Sequence, residues 1–193
     1  AGIEARSGTR AAALRFIAKA EASAPEENAR RRIAALYGEL KDYRRAAAHL
    51  EPLLARDPRV AGLWIERAEV EVRTGAKEKA VESLARAVEA NPDQNGRRRI
   101  VGLYRELQEY GRAAAFLKRL LQRAPQDAGL WLERAELEAK TGQTGEALRS
   151  LAKAEDSNPD TNAMRRIIGL YREMKDYRRA AALLERLSRR HPE

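Results

Sequence analysis

The sequence predicts an all-α chain, an α-solenoid of stacked helix pairs, and three observations lead there. First, long words recur at a fixed distance. Arg31-Arg32-Ile33 returns as Arg98-Arg99-Ile100 and as Arg165-Arg166-Ile167, a period of 67 residues. The stretch AGLWIERAEVEVRTG at 61–75 likewise returns as AGLWLERAELEAKTG at 128–142. Second, apolar residues within a period fall at helical spacing: Ile100, Leu103, Tyr104 and Leu107, then Ala113, Ala114, Leu117, Leu120 and Leu121. Third, the breaks sit at constant places. Pro25, Pro58, Pro92, Pro125, Pro159 and Pro192 occupy equivalent ends, and Gly75 and Gly142 mark an inner turn in alternate units.

A period of 67 divides into units of 33 and 34 residues. Residues 1–26 form a partial repeat, because SGTRAAALRFIAKAEASAPE at 7–26 reads as a second helix whose first helix is mostly missing. Five full units follow at 27–60, 61–93, 94–127, 128–160 and 161–193. In 27–60 the first helix carries RRRIAALYGEL and the second is built on Ala46 and Leu50. In 61–93 the first carries Trp64 and the second Ala80 and Leu84. In 94–127 the helices flank QEYG, read as a turn, and Pro125 is expected to seed the next helix in its first turn. Units 128–160 and 161–193 repeat these two kinds with Trp131, Ala147 and Leu151, and with Tyr171, Ala180 and Leu184. This makes about eleven helices and no strand. The chain begins in mid-pattern, so it reads as a fragment of a larger bacterial protein.

One helix pair cannot bury its own apolar face, so neighbours must stack and share a core. The alanines at 46, 80, 113, 147 and 180 let the helices approach closely. Composition excludes other classes. There is no cysteine, hence no disulfide and no zinc–thiolate centre, which fits bacterial cytoplasm or periplasm. No apolar run reaches membrane-spanning length and no signal peptide opens the chain. His49 and His191 are isolated in sequence and read as solvated. With no nucleophile or metal partner at motif spacing, the reading assigns no catalytic residue, no metal and no cofactor.

The pattern resembles the tetratricopeptide repeat family, whose consensus runs W-x2-L-G-x2-Y…A-x3-F…P. Ala113, Leu117 and Pro125 match its second half, as do Ala46/Leu50/Pro58, Ala80/Leu84/Pro92, Ala147/Leu151/Pro159 and Ala180/Leu184/Pro192. The first half is split between two kinds of unit. Two keep the tryptophan (Trp64, Trp131) and place Glu71 or Glu138 at the tyrosine position. Three keep the tyrosine (Tyr37, Tyr104, Tyr171) and place Arg30, Arg97 or Met164 at the tryptophan position. The resemblance implies a right-handed superhelix with first helices lining a concave inner face. Its second, fifth and ninth positions then place Asn28, Arg31, Asn95, Arg98, Asn162 and Arg165 on that face, with Glu69 and Glu136 between them and Arg105 and Arg172 one turn further along. Ile65 and Leu132 fall on the same face by this reading, as do Ala35, Gly102 and Gly169. A glycine inside a helix costs about 1 kcal/mol relative to alanine and asks for a reason, packing being the plainer one. The Lys and Asn clamp of the chaperone-binding members is replaced in the first full unit by Arg31 and Ala35, so a C-terminal carboxylate is set aside as ligand.

Charge alternates along the stack. Residues 1–26 carry +1 and the five units +3, −2, +5, −3 and +5, giving the net charge of +9. The structural use of this pattern is ion pairing between neighbouring units; Arg67–Glu71 and Arg134–Glu138 also stand at i,i+4. The functional use is a concave face that recognises a partner. The reading is a non-catalytic protein–protein interaction scaffold for a protein partner of mixed or acidic charge. Arg-rich solenoids of this kind also resemble the periplasmic repeat segments of bacterial exopolysaccharide secretion proteins of the Pel, cellulose and alginate systems. That likeness implies recruitment of enzymes, polysaccharide as a further ligand, and the periplasm. The alternative is a nucleic-acid-binding α-solenoid, favoured by net charge. Glu69 and Glu136 break its basic stripe, and the aromatics read as core. Ala181, Leu184 and Leu187 on the last helix are expected to lie uncovered and to drive self-association through uncapped ends.

Overall fold

The computed structural model describes residues 2–23 and 26–190. These form eleven α-helices: α1 (Gly2–Ala22), α2 (Glu27–Glu39), α3 (Tyr43–Arg56), α4 (Ala61–Arg73), α5 (Lys77–Glu89), α6 (Gln94–Glu106), α7 (Tyr110–Leu121), α8 (Ala128–Lys140), α9 (Thr144–Asp156), α10 (Thr161–Glu173) and α11 (Tyr177–Arg190). No strand occurs among the described residues. The helices stack as pairs and group into two compact units, Ala1–Leu103 and Tyr104–Glu193.

The turn inside each pair is the same device five times. Three residues separate the helices, and the middle one is left-handed: Lys41, Gly75, Gln108, Gly142 and Lys175, with φ of 59°, 75°, 60°, 74° and 62°. The next amide donates back to the carbonyl of the Tyr or Glu position, as in Asp42 N to Tyr37 O at 2.8 Å and Gln143 N to Glu138 O at 2.9 Å. This closes the helix end in a Schellman motif and satisfies carbonyls that the helix leaves unpaired. Glycine at Gly75 and Gly142 meets the positive φ without a Cβ clash. The QEYG turn is shorter than expected, since Tyr110 and Gly111 already belong to α7.

The prolines also stand elsewhere than expected. Pro58, Pro92, Pro125 and Pro159 precede the helices instead of opening their first turns. Aspartates cap three of the four helices that follow, as Asp127 Oδ1 accepts from Leu130 N at 3.0 Å and Asp160 Oδ1 from Ala163 N at 2.7 Å, whereas α4 starts at Val60 with no side-chain cap. The proline carbonyls have a separate use. Trp64 Nε1 donates to Pro58 O and Trp131 Nε1 to Pro125 O, each at 2.8 Å, while Arg97 Nε donates to Pro92 O at 3.0 Å. Arg97 therefore replaces tryptophan by supplying the same N–H from the same helical turn. Pro25, Pro192 and His191 lie outside the described residues.

The alanines at 46, 80, 113 and 147 are wholly buried and Ala180 nearly so, which lets paired helices close on each other. In the first unit Ile17, Ile33, Tyr37 and Ala46 make one cluster; Ala34, Leu50, Leu53, Leu54 and Leu63 make another, with Trp64 and Val70 packed against it. In the second unit one cluster runs from Leu132 and Ala135 through Leu151, Met164, Ile167 and Tyr171 to Leu183 and Leu187. Three sequence expectations are corrected here. Ile65 and Leu132 are buried core, not surface, because the stripe they occupy turns inward against the pair. Leu187 is buried too, whereas Ala181 and Leu184 are exposed.

Candidate partner-binding site

The first helices α2, α6 and α10 carry the candidate residues at i, i+3, i+7 and i+10, a spacing that sets them on one face. On α6 this face is Asn95, Arg98, Gly102 and Arg105; on α10 it is Asn162, Arg165, Gly169 and Arg172. Asn28, Asn95 and Asn162 are exposed, as are the four arginines just named. A Cβ built on Gly102 or Gly169 meets nothing within 4 Å. Packing is therefore not the reason for glycine at either place.

The charges divide into two groups. Arg31 Nε and Nη2 both donate to Glu66 Oε1, at 2.8 and 2.6 Å. Arg99 meets Glu69 through two parallel bonds, Nε to Oε1 at 3.0 Å and Nη2 to Oε2 at 2.8 Å. In the second unit Glu136 takes Arg166 Nη2 at 2.6 Å and lies 3.8 Å from Arg105 Nη1. These pairs join first helices of neighbouring pairs, as the alternating charge predicts. At their exposure each is worth about 0–1 kcal/mol, so they set register more than stability. By contrast, Arg98, Arg165 and Arg172 make no ion pair among the described residues. Beside Arg105 and Glu136 an open cleft of about 470 Å³ is walled by Tyr110, Lys140, Leu170 and Glu173.

Sequence reasoning missed the buried polar centre of the tryptophan pairs. Glu71 and Glu138 are buried, and Ser83 and Ser150 with them. Glu138 Oε1 accepts from Arg134 Nε at 2.7 Å and Oε2 from Ser150 Oγ at 2.6 Å. Glu71 does the same with Arg67 at 3.0 Å and Ser83 at 2.6 Å. Each arginine also lies over its tryptophan ring, 5.8 Å from the Trp64 centroid and 5.6 Å from that of Trp131. The signal was available: serine follows glutamate by twelve residues in both tryptophan units.

His49 is corrected from solvated to structural. Its ring stacks on Tyr37 at 5.7 Å between centroids, and Nε2 lies 2.7 Å from Glu21 Oε1. Tyr37 Oη donates to the same oxygen at 2.9 Å. Partial desolvation pushes the Glu21 carboxyl up, but the bonds from His49 and Tyr37 outweigh it and hold the group below its usual value. Among the described residues no three His, Cys, Asp or Glu side chains gather as a metal site, and no helix is long and apolar enough to cross a membrane.

Three models of the tetratricopeptide repeat match, over residues 31–95, 100–170 and 163–193. The chain is a tetratricopeptide repeat protein. Solved structures agree on the fold. YrrB, described as a tetratricopeptide repeat protein with an unusual peptide-binding site, superposes with a TM-score of 0.55 at 18% identity, over 92% of this chain and 93% of its own. MamA from Desulfovibrio magneticus RS-1 gives 0.57 at 14%, over 86% and 97%. A tetratricopeptide repeat protein from Parabacteroides merdae gives 0.52 at 18%, over 97% and 74%. No curated protein matches the sequence significantly. None of these likenesses connects this tetratricopeptide chain with exopolysaccharide secretion or the periplasm.

Proposed function

We propose that the chain is a non-catalytic protein-interaction scaffold whose first-helix stripes, on α6 and on α10, each hold an extended protein segment of acidic or mixed charge. The observation that carries this reading is the pair of glycines Gly102 and Gly169. Each sits inside a helix, in open space, flanked by unpaired guanidinium groups at Arg98 or at Arg165 and Arg172. Open space at a helix-interior glycine suits close approach of a partner's backbone. The guanidinium forks suit its carboxylates, and Asn95 and Asn162 add a neutral donor and acceptor. Glu69 and Glu136 are already met by Arg99 and Arg166, which leaves the unpaired arginines to take the segment's acidic side chains. A peptide-binding site is also what the description of the similar YrrB structure records.

The test is an array of extended peptides of acidic, mixed and basic charge, probed with the chain and with Arg98→Glu/Arg172→Glu. Acidic and mixed peptides should bind in a salt-dependent way, and the double variant should lose them with its melting temperature unchanged. Equal binding by the double variant, or a preference for basic peptides, overturns the reading.

A further inference from the structure

Helices α7 and α9 both pack on α8, and an open groove of about 820 Å³ lies between them. Its walls are nearly bare. Gly111 and Ala114 line it from α7, Gly142 from the turn and Gly145 from α9. A Cβ built on Gly111 or Gly145 meets nothing within 4 Å, so packing does not ask for glycine at either place. Arg134 lines the groove from α8. Its side chain is 17% exposed, laid over Trp131 and tied through Nε to Glu138. Its Nη1 and Nη2 make no hydrogen bond among the described residues. A guanidinium held in this way, with donors to spare, is preorganised for an anion.

The internal repeat separates what is structural here from what is not. One period earlier the first unit keeps the frame, with Trp64, Arg67, Glu71 and Gly75 at the places of Trp131, Arg134, Glu138 and Gly142. It changes the walls. Arg44 and Glu78 stand at the places of Gly111 and Gly145, and Glu51 and Glu82 at those of Lys118 and Arg149. Gly111, Lys118, Gly145 and Arg149 are all exposed, so burial does not select them. Together they clear two side chains from the groove and turn a glutamate on each wall into a cation. Lys118 has no ion pair among the described residues. Arg149 pairs with Glu146 at i,i+3, an exposed contact of little weight.

We propose that the groove between α7 and α9 binds a segment of a partner protein that presents an acidic side chain between small residues. The carboxylate takes the spare Nη donors of Arg134 and the ammonium of Lys118. The bare walls at Gly111 and Gly145 leave room for the segment's main chain to come close. Charge complementarity selects a carboxylate over a phosphate. The lining holds three cations, Lys118, Arg134 and Arg149, against two carboxylates, Glu138 and Glu146, which leaves a net charge of +1. A carboxylate matches that charge, whereas a phosphate near its dianionic form exceeds it. The site is separate from the stripes proposed above, which lie on α6 and α10 and use none of these residues.

The probe is the peptide Gly-Ala-Gly-Asp-Gly-Ala-Gly, acetylated and amidated so that the aspartate is its only charge. It is titrated into the isotopically labelled 193-residue chain carrying Arg98→Glu and Arg172→Glu, and read by amide chemical shifts. That background disables the stripes, so a failure here leaves the stripe reading standing. Saturable shifts are expected at Gly111, Gly142 and Gly145. Lys118→Glu should weaken binding by about tenfold or more. Gly111→Arg with Gly145→Glu, which installs the residues of the first unit, should abolish it. Both variants lie at exposed positions and should keep the parent's helical circular dichroism. The peptide with asparagine in place of aspartate should give no saturable shift. Absence of saturable shifts at the three glycines overturns the proposal, as does binding that Lys118→Glu leaves untouched. Tighter binding of the same peptide with phosphoserine in place of aspartate also overturns it, because the groove is then a phosphate site.

Discussion

Within the second unit, the pair α8–α9 and the pair α10–α11 use one position in opposite ways. At the site where the two helices of a pair meet, α8–α9 buries Glu138 with Ser150, and α10–α11 buries Tyr171 with Leu183. The partners are twelve residues apart in both cases. The first unit repeats the contrast with Glu71 and Ser83 against Tyr37 and His49. The backbone around the site is unchanged, down to the same three-residue turn. What changes is how many other residues the choice commits. A tyrosine ring accepts a neutral or aromatic neighbour, Leu183 at Tyr171 and His49 at Tyr37, and demands no buried charge. A buried carboxylate needs charge and hydrogen bonds, so Glu138 brings Arg134 one turn before it, Ser150 across the pair, and Trp131 as a surface for the arginine to lie on. Tryptophan, arginine, glutamate and serine are therefore one coupled set, which explains why they recur together.

The strongest way to break this contrast is to remove the cation alone. Arg134→Met leaves the Glu138 carboxylate buried with a single hydroxyl donor, and losing one partner of a buried ion pair costs about 3–5 kcal/mol. Urea denaturation followed by local hydrogen exchange should show that loss centred on α8 and α9. Replacing the whole set is a different matter. Glu138→Tyr with Ser150→Leu and Arg134→Met converts the pair to the other kind and should recover most of the loss, since apolar replacements of buried ion pairs are often neutral or better. A single variant as stable as the parent would show that another donor replaces the guanidinium at no cost.

Much of this was legible in the sequence. Period, helix pairing and the place of the alanines followed from spacing alone, because stacked repeats make local pattern and packing coincide. The i,i+4 pairs Arg67–Glu71 and Arg134–Glu138 were also visible. Three things were not. Spacing along one helix does not say which side its pair covers, so Ile65 and Leu132 read as outward although they are core. An arginine in a triplet does not reveal whether a glutamate thirty residues away reaches it, so the division between the paired Arg99 and Arg166 and the unpaired Arg98 and Arg165 required coordinates. And a histidine with no partner nearby in sequence looked solvated, although Tyr37 and Glu21 enclose it in the fold.

The turns give a smaller and opposite test. The tryptophan pairs place glycine at the left-handed position, while the tyrosine pairs place Lys41, Gln108 or Lys175 there. A side chain at positive φ costs about 1–2 kcal/mol, offset in part by the greater freedom glycine gives the unfolded chain. Gln108→Gly should therefore stabilise by up to about 1 kcal/mol, and Gly142→Ala should destabilise by about the same amount. Thermal melts of the two variants compare the turns directly. A loss of stability in Gln108→Gly would mean that the glutamine side chain contributes more than its backbone strain costs.

The smallest expected effect separates two tyrosines of the same kind of pair. The Tyr37 hydroxyl donates to Glu21, but the Tyr171 hydroxyl is buried without a hydrogen-bond partner, under the Arg179 guanidinium that lies 5.8 Å from its ring centroid. Burial pushes the Tyr171 phenol up to about 12, with Glu155 adding to the shift. A phenol raised in the folded state favours folding while it stays neutral. Its contribution is complete below the unfolded value of about 10 and is lost as pH rises through the folded value. Stability should thus fall between pH 10 and about 12, and Tyr171→Phe should flatten that fall. Near neutral pH the same substitution removes an unsatisfied hydroxyl and should be neutral or stabilising by about 1 kcal/mol at most, whereas Tyr37→Phe, which gives up a formed bond, should cost about 0.5–1.5 kcal/mol. Melts of both variants at neutral and alkaline pH make the comparison. Equal losses in the two would show that the Tyr171 hydroxyl is bonded in solution.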